Sequence, residues 1–227
     1  MIEYPALMPY SERYADMEMR PLTIRLYLEA GSQLAGYDPL HLDNLLARCV
    51  VDEATQWQGL PAEHNIGYTL PVPLQCLWRD SRGYPLWAAT PFVPAEGAEG
   101  DVWYRHKRQQ SGRWTGTKRG TLRLSATSGR WMERRVPVPT VVAPYWEARC
   151  IGNAIEIGRL LDHLSQVGKE RSRGMGVVER WEIEPTDTFR LVGEDNELTR
   201  SLPMEAVELL NGWMPTGAPA PVGWTPP

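Results

Sequence analysis

Phenylalanine is nearly missing from these 227 residues: there are two, against ten tryptophans and nine tyrosines. Cysteine is scarce too. Cys49, Cys76 and Cys150 are odd in number and widely spaced, which argues against a disulfide framework and against a zinc knuckle. No stretch approaches the roughly 20 apolar residues that span a bilayer, so no membrane partner is expected. The opening MIEYPALMPYSERYADMEMR lacks a basic segment followed by an apolar run, so a secretory signal is not expected either. A cytoplasmic, reduced protein is the expectation. The four histidines form no grouping with cysteine or aspartate at metal-ligand spacing, so neither a metal nor a cofactor is expected.

What is present is ordinary in bulk, with 42% hydrophobic and 23% charged residues. Twenty glycines and twenty prolines point to turns and long connections rather than a helical bundle. The net charge of −4 conceals a strong segregation. Residues 105–135 hold ten basic side chains and one acid, a charge of +9 that leaves −13 for the other 196 residues. The cations are Arg105, Lys107, Arg108, Arg113, Lys118, Arg119, Arg123, Arg130, Arg134 and Arg135. A solvated charged hairpin would account for such a run. Interleaving with Trp103, Tyr104, Trp114 and Trp131 favours a single-stranded nucleic acid, whose phosphates meet cations while its bases stack on aromatic rings.

Residues 22–30 alternate apolar and polar with period two, which predicts a half-buried strand as the first regular element. Asp38-Pro39 offers a cap and a first helical proline, and Leu42, Leu45, Leu46, Cys49 and Val50 mark one face of a helix reaching about residue 55. Residues 70–79 and 85–94 read as two extended pieces around a turn at 80–83. Residues 121–126 alternate, and Ser128-Gly129 can turn them into 130–138, which predicts a basic β-hairpin inserted at about 95–138. A strand over 145–151 follows. Asn153 and Glu156 then have capping-box spacing ahead of Ile157, Leu160, Leu161 and Leu164, and 177–184 is the last strand. Strand, helix, strand, strand, helix, strand is the order of an α+β, ferredoxin-like (RRM-like) sheet with two helices. The expected organisation is one domain over 1–205, then a helix end and a proline-rich tail over 206–227.

A glycine-rich loop, 168–176, precedes that last strand. Its order is helix, loop, strand, the reverse of a phosphate-binding strand-loop-helix, and neither GxGxxG nor GxxxxGK[ST] occurs. Gly168 suits a helix C-cap, but capping leaves unexplained Lys169, Arg171, Ser172, Arg173, Gly174, Met175 and Gly176. Cations with small residues offer both charge and backbone amides to phosphate. Glu182 and Glu184 share a strand face and read as solvent-facing charge, and nothing resembling GxSxG or a reactive cysteine motif is present.

The run IGRLLDHLSQVGKERSRGMGVVERWEIEP resembles the glycine-rich loop and flanking elements of the RAMP superfamily, the RNA-binding proteins of CRISPR systems. Residues 40–46, LHLDNLL, resemble the helix after the first strand in the same proteins. The early His-Leu-Asp, the insertion before a Tyr-Trp strand and Leu202-Pro203 are most similar to the handle-capping subunit of type IV CRISPR effector complexes. The resemblance covers residues 20–205. It implies a noncatalytic subunit that grips the 5′ handle of the guide RNA (crRNA) and caps a complex of other subunits, with target DNA a further candidate partner. It also implies that Lys169, Arg171, Ser172, Arg173, Gly174, Met175 and Gly176 contact RNA. The ribbon residues Arg105, Lys107, Arg108, Arg113, Trp114, Lys118, Arg119, Arg130, Trp131, Arg134 and Arg135 join them on charge and position. The alternatives are a guide-processing endoribonuclease of that superfamily, for which His41 is the candidate catalytic group, and a structural assembly subunit without RNA contact.

Overall fold

The period-two alternation of the first strand decides which side of the molecule is inside. In this computed structural model, residues 4–36, 38–61, 70–107, 112–117, 120–124, 134–191, 200, 202 and 205–206 are described, with backbone alone over 106–107, 112–117, 120–124 and 134. The first strand, β1 (Arg20–Leu28), buries Leu22, Ile24 and Leu26 completely and turns Arg25 and Tyr27 the other way. The chain continues through β2 (Leu34–Ala35), α2 (Leu42–Ala54), β3 (Cys76–Arg79), β4 (Pro85–Trp87) and β5 (Val93–Pro94). After a long insertion come β10 (Trp146–Gly152), α3 (Ala154–Leu161) and β11 (Val178–Pro185).

Four of these strands form one antiparallel sheet in the order β11-β1-β10-β5. The last strand lies beside the first, and the first beside the third, an α+β arrangement compatible with a ferredoxin-like sheet. Leu22, Ile24 and Leu26 stand opposite Cys150, Ala148 and Trp146 in register. This inner face packs under Leu42, Leu46 and Val50 of α2 and Ile157, Leu160 and Leu161 of α3. A smaller cluster forms behind β4, where Leu86 and Ala88 meet Phe189, Leu191, Leu202 and Ala206 of the C-terminal segment.

The structure corrects several expectations. A helix, α1 (Met8–Ala15), precedes β1 after a 3-10 turn at Pro5–Leu7. Helix α2 starts at Leu42 with His41 as its cap residue, so Asp38 does not cap it. Helix α3 ends at Leu161 with Asp162 at its C-cap, seven residues before Gly168. Gly168 is left-handed (φ 77°) but caps nothing. Asn153 does accept from the Glu156 N–H at 3.0 Å, the first half of a capping box. The second half is diverted, because the Glu156 carboxylate takes hydrogen bonds from Arg13, Tyr14 and Arg159 instead. The turn at 80–83 forms as expected: Asp80 Oδ1 accepts from the N–H of Arg82 and of Tyr84.

The inserted hairpin is longer and differently paired. β6 (Glu99–Lys107) pairs antiparallel with β9 (Arg134–Val142) over nine residues, and β7 (Gly112–Thr117) pairs with β8 (Gly120–Leu124) further out. Residues 122–124 therefore pair with 112–114, and 134–138 pair with 103–107 instead. β9 also contacts β2, through Leu34↔Val141 and Ala35↔Thr140. Pro139 presents its carbonyl to the Gly36 N–H at 3.0 Å. Its nitrogen, and that of Pro137 two residues before, thus lies on the side of β9 away from β6. Two prolines in the ribbon withhold nothing from its ladder.

Candidate nucleic-acid interface

The glycine-rich loop is fastened at its neck and open at its tip. Val167 N–H donates to Gly176 carbonyl at 2.8 Å, and Gly176 N–H donates to Gln33 carbonyl at 2.9 Å. Ser32 Oγ accepts from Val177 N–H at 2.9 Å, tying the same neck to the loop after β1. Gly176 is buried at φ 68°, and a Cβ placed there would lie 1.9 Å from the Val167 carbonyl oxygen. Glycine is required at that position by space as well as by conformation. Between the clamps, a 3-10 turn at Arg171–Arg173 carries the cations outward. Lys169, Arg171, Ser172, Arg173 and Gly174 are exposed and Met175 is half-buried.

The fold brings this loop against the base of the ribbon. Arg105 on β6 donates to Glu170 Oε1 at 3.0 Å, and Arg173 approaches Glu170 Oε2 at 3.3 Å. The Arg173 guanidinium stacks 5.0 Å from the centre of the Trp103 ring. Trp103 and Arg105 share one face of the strand, so this face meets the glycine loop. On the opposite face Arg135 stacks 4.4 Å from the Tyr104 ring. Val102, Trp103, Tyr104 and Val142 remain 36–45% exposed, Trp103 and Val142 on one face of the ribbon and Val102 and Tyr104 on the other. Lys169 pairs with Asp38 across the loop. Arg171 has no ion-pair partner among the described residues.

Beside this junction lies a groove of about 490 Å³. Leu45, Phe92, Val141 and Trp146 line it together with Asp38, Lys169 and Arg171. Its lining thus joins apolar side chains to Arg171 and the Asp38–Lys169 ion pair.

The outer face of the four-stranded sheet is different. Arg25 pairs with Glu147 and Glu184, Arg149 with Glu147, and Arg180 with Glu179 and Glu182. Arg180 also stacks 3.7 Å over Tyr27, whose hydroxyl donates to Glu182 at 2.9 Å. That hydrogen bond, with the Arg180 charge, outweighs desolvation and holds the Glu182 carboxyl below its ordinary range. Arg25, Arg149 and Arg180 are thus all held by acids, as are Arg105, Lys169 and Arg173 at the loop–ribbon edge, where Arg171 has no ion pair among the described residues. Glu182 and Glu184 are solvent-facing, as expected.

The sequence-predicted site residues are thus distributed unevenly. Arg105, Lys169, Arg171, Ser172, Arg173, Gly174, Met175 and Gly176 belong to one edge, whereas Arg135 lies on the opposite face of the ribbon, against Tyr104. Lys107, Arg113, Trp114 and Arg134 lie on ribbon strands with only their backbone described. Arg108, Lys118, Arg119, Arg130 and Trp131 lie outside the described residues. His41 is half-buried at the start of α2. Its Nδ1 is buried without a hydrogen-bond partner, and burial, with Arg200 nearby, lowers its pKa despite Asp43. Burial pushes the Cys49 and Cys150 thiols up to about 12, so both stay protonated at neutral pH. No group of three or more metal-ligating side chains occurs among the described residues. Sequence reasoning missed Asp38 and Glu170, the carboxylates that hold three of the loop and ribbon cations; a lone acid within KERSR was the available signal for Glu170. Comparison with protein-family models and with curated proteins returns no match.

Proposed function

We propose that the chain is a noncatalytic RNA-binding subunit of a type IV CRISPR ribonucleoprotein, with a ferredoxin-like sheet and a glycine-rich loop that grips the 5′ handle of the guide RNA. The observation that carries this reading is the junction of the two basic segments. Arg173 of the loop stacks on Trp103 of the ribbon, and both belong to an edge bearing Arg105, Lys169 and Arg171, with Arg135 on the opposite face of the ribbon. Phosphates tracking that edge find cations spaced along two backbones, while exposed Trp103 and Tyr104 give bases a surface to stack on. Arg171, without an ion pair among the described residues, supports the same assignment, because Arg25, Arg149 and Arg180 of the outer sheet face are all held by acids. In this reading the chain binds and orients RNA, and other subunits of the complex supply any cleavage.

The test is expression with the neighbouring genes of its locus and a repeat-spacer array, followed by purification in moderate salt. RNA of one uniform length, protected at its 5′ end, is the expected result. Protein free of RNA under those conditions rejects the proposal.

A further inference from the structure

Glycine-rich loops use glycine where the backbone is left-handed, and this one does so at Gly168, Gly174 and Gly176. Glu170 breaks the pattern. It sits at φ 57° and ψ 26°, a left-handed conformation that costs a residue with a Cβ roughly 1 kcal/mol or more. Glycine would remove that cost, so the carboxylate must earn its place through contacts. Its side chain is only 18% exposed, and its two oxygens face two arginines from distant segments, Arg105 at 3.0 Å and Arg173 at 3.3 Å. Arg173 in turn sits over the Trp103 ring, 5.0 Å from its centre. One carboxylate therefore fixes both guanidiniums and cancels half their charge.

We infer that Glu170 is a positioning residue that sets the selectivity of this edge, by holding Arg105 and Arg173 in one arrangement and lowering their pull on unstructured polyanions. The inference rests on the RNA-binding reading above and extends it. A flexible cluster of free cations binds any single strand in proportion to its charge. A cluster tied to an internal carboxylate favours RNA whose phosphates and bases suit the fixed geometry, since other strands must compete with Glu170 for the same guanidinium donors.

Two variants of the full chain separate this role from a structural one. Glu170→Gln keeps the side-chain size and the left-handed backbone while deleting the charge, and Glu170→Gly also relieves the backbone. Binding of an oligouridine of about 20 nucleotides and of the locus's own repeat RNA is followed by fluorescence anisotropy across a salt series. Both variants are expected to bind oligouridine about fivefold more tightly at about 50 mM salt, with a salt slope steeper by about 0.7. Repeat RNA gains less, so the ratio of repeat to oligouridine affinity falls severalfold. Glu170→Gly is expected to keep or raise the thermal midpoint, which a purely structural ion pair would not allow. An unchanged or shallower slope in both variants, with wild-type binding intact, overturns the role of Glu170 and leaves the RNA-binding reading standing. Wild-type protein that binds neither RNA overturns both.

Discussion

Arg171, Lys169 and Arg173 lie within five residues of one another, yet the structure gives them different partners. Lys169 is met by Asp38 and Arg173 by Glu170 and Trp103, whereas Arg171 has no ion pair among the described residues. A phosphate approaching Arg171 displaces only water. One approaching Lys169 must replace its exposed ion pair with Asp38, which solvent already screens. Arg171→Ala is therefore expected to weaken RNA binding more than Lys169→Ala and to make the salt slope shallower by about 0.7, measured by anisotropy titration across salt. Equal effects of the two substitutions would sink this ranking. The cations themselves were legible in the sequence, because charge is a property of composition. Their carboxylate partners were not, since Asp38 lies 131 residues from Lys169 and Glu170 lies 65 from Arg105.

Elements divide by how much of their pattern is buried. β1 and β10 alternate cleanly because one face packs under helices, and α3 follows its apolar spacing for the same reason. Helix α1 escaped sequence reading because it buries only Tyr14, and one residue in two turns leaves no stripe. The ribbon misled in another way. With Trp103 and Tyr104 partly exposed on opposite faces of β6, no core face sets the register, and turn residues alone are weak guides. The glycine loop allows a contrast between two of its own glycines. Gly176→Ala places a Cβ against the Val167 carbonyl and breaks the loop neck, an expected loss of about 3 kcal/mol or more in denaturant unfolding. Gly174→Ala meets open space and bears only the left-handed cost, about 1 kcal/mol. Similar losses for the two variants would show that the neck does not hold the loop.

At the scale of the molecule, the C-terminal segment is fastened by a buried ion pair. Arg200 donates to Asp43 at 2.9 Å and to the Ala89 carbonyl at 3.0 Å, with its side chain 7% and that of Asp43 1% exposed. Arg200→Ala strands a buried carboxylate at the start of α2, so a loss of about 3–5 kcal/mol is expected in chemical unfolding. Below 1 kcal/mol, the pair would not be what secures the segment. Acid acts on the same core from two sides. Burial, then Arg200, lowers the His41 pKa, so its contribution is full above about pH 6.5 and declines as pH falls through the depressed folded value. Burial would raise Glu156, but hydrogen bonds from Arg159 and Tyr14, with the charges of Arg159 and Arg13, hold it below its ordinary value. Its contribution is present above about pH 4.5 and is lost as pH falls further. Unfolding midpoints measured from pH 8 to pH 3 are expected to fall in both windows, and His41→Asn should remove the upper decline alone.

By itself the sequence determined the alternation of β1, the apolar faces of α2 and α3, the strand before the second helix, the left-handed backbone of Gly168 and the segregation of charge. Each is a local or compositional property, fixed by the period of one element or by the chemistry of one residue. The tertiary structure alone decided that β6 pairs with β9, that Arg25 of the outer sheet face meets Glu147 and Glu184 of the two neighbouring strands, and that Glu170 joins Arg105 to Arg173. Those outcomes depend on which distant segments the closure of the sheet brings together. Neither the period of an element nor its composition encodes that distance.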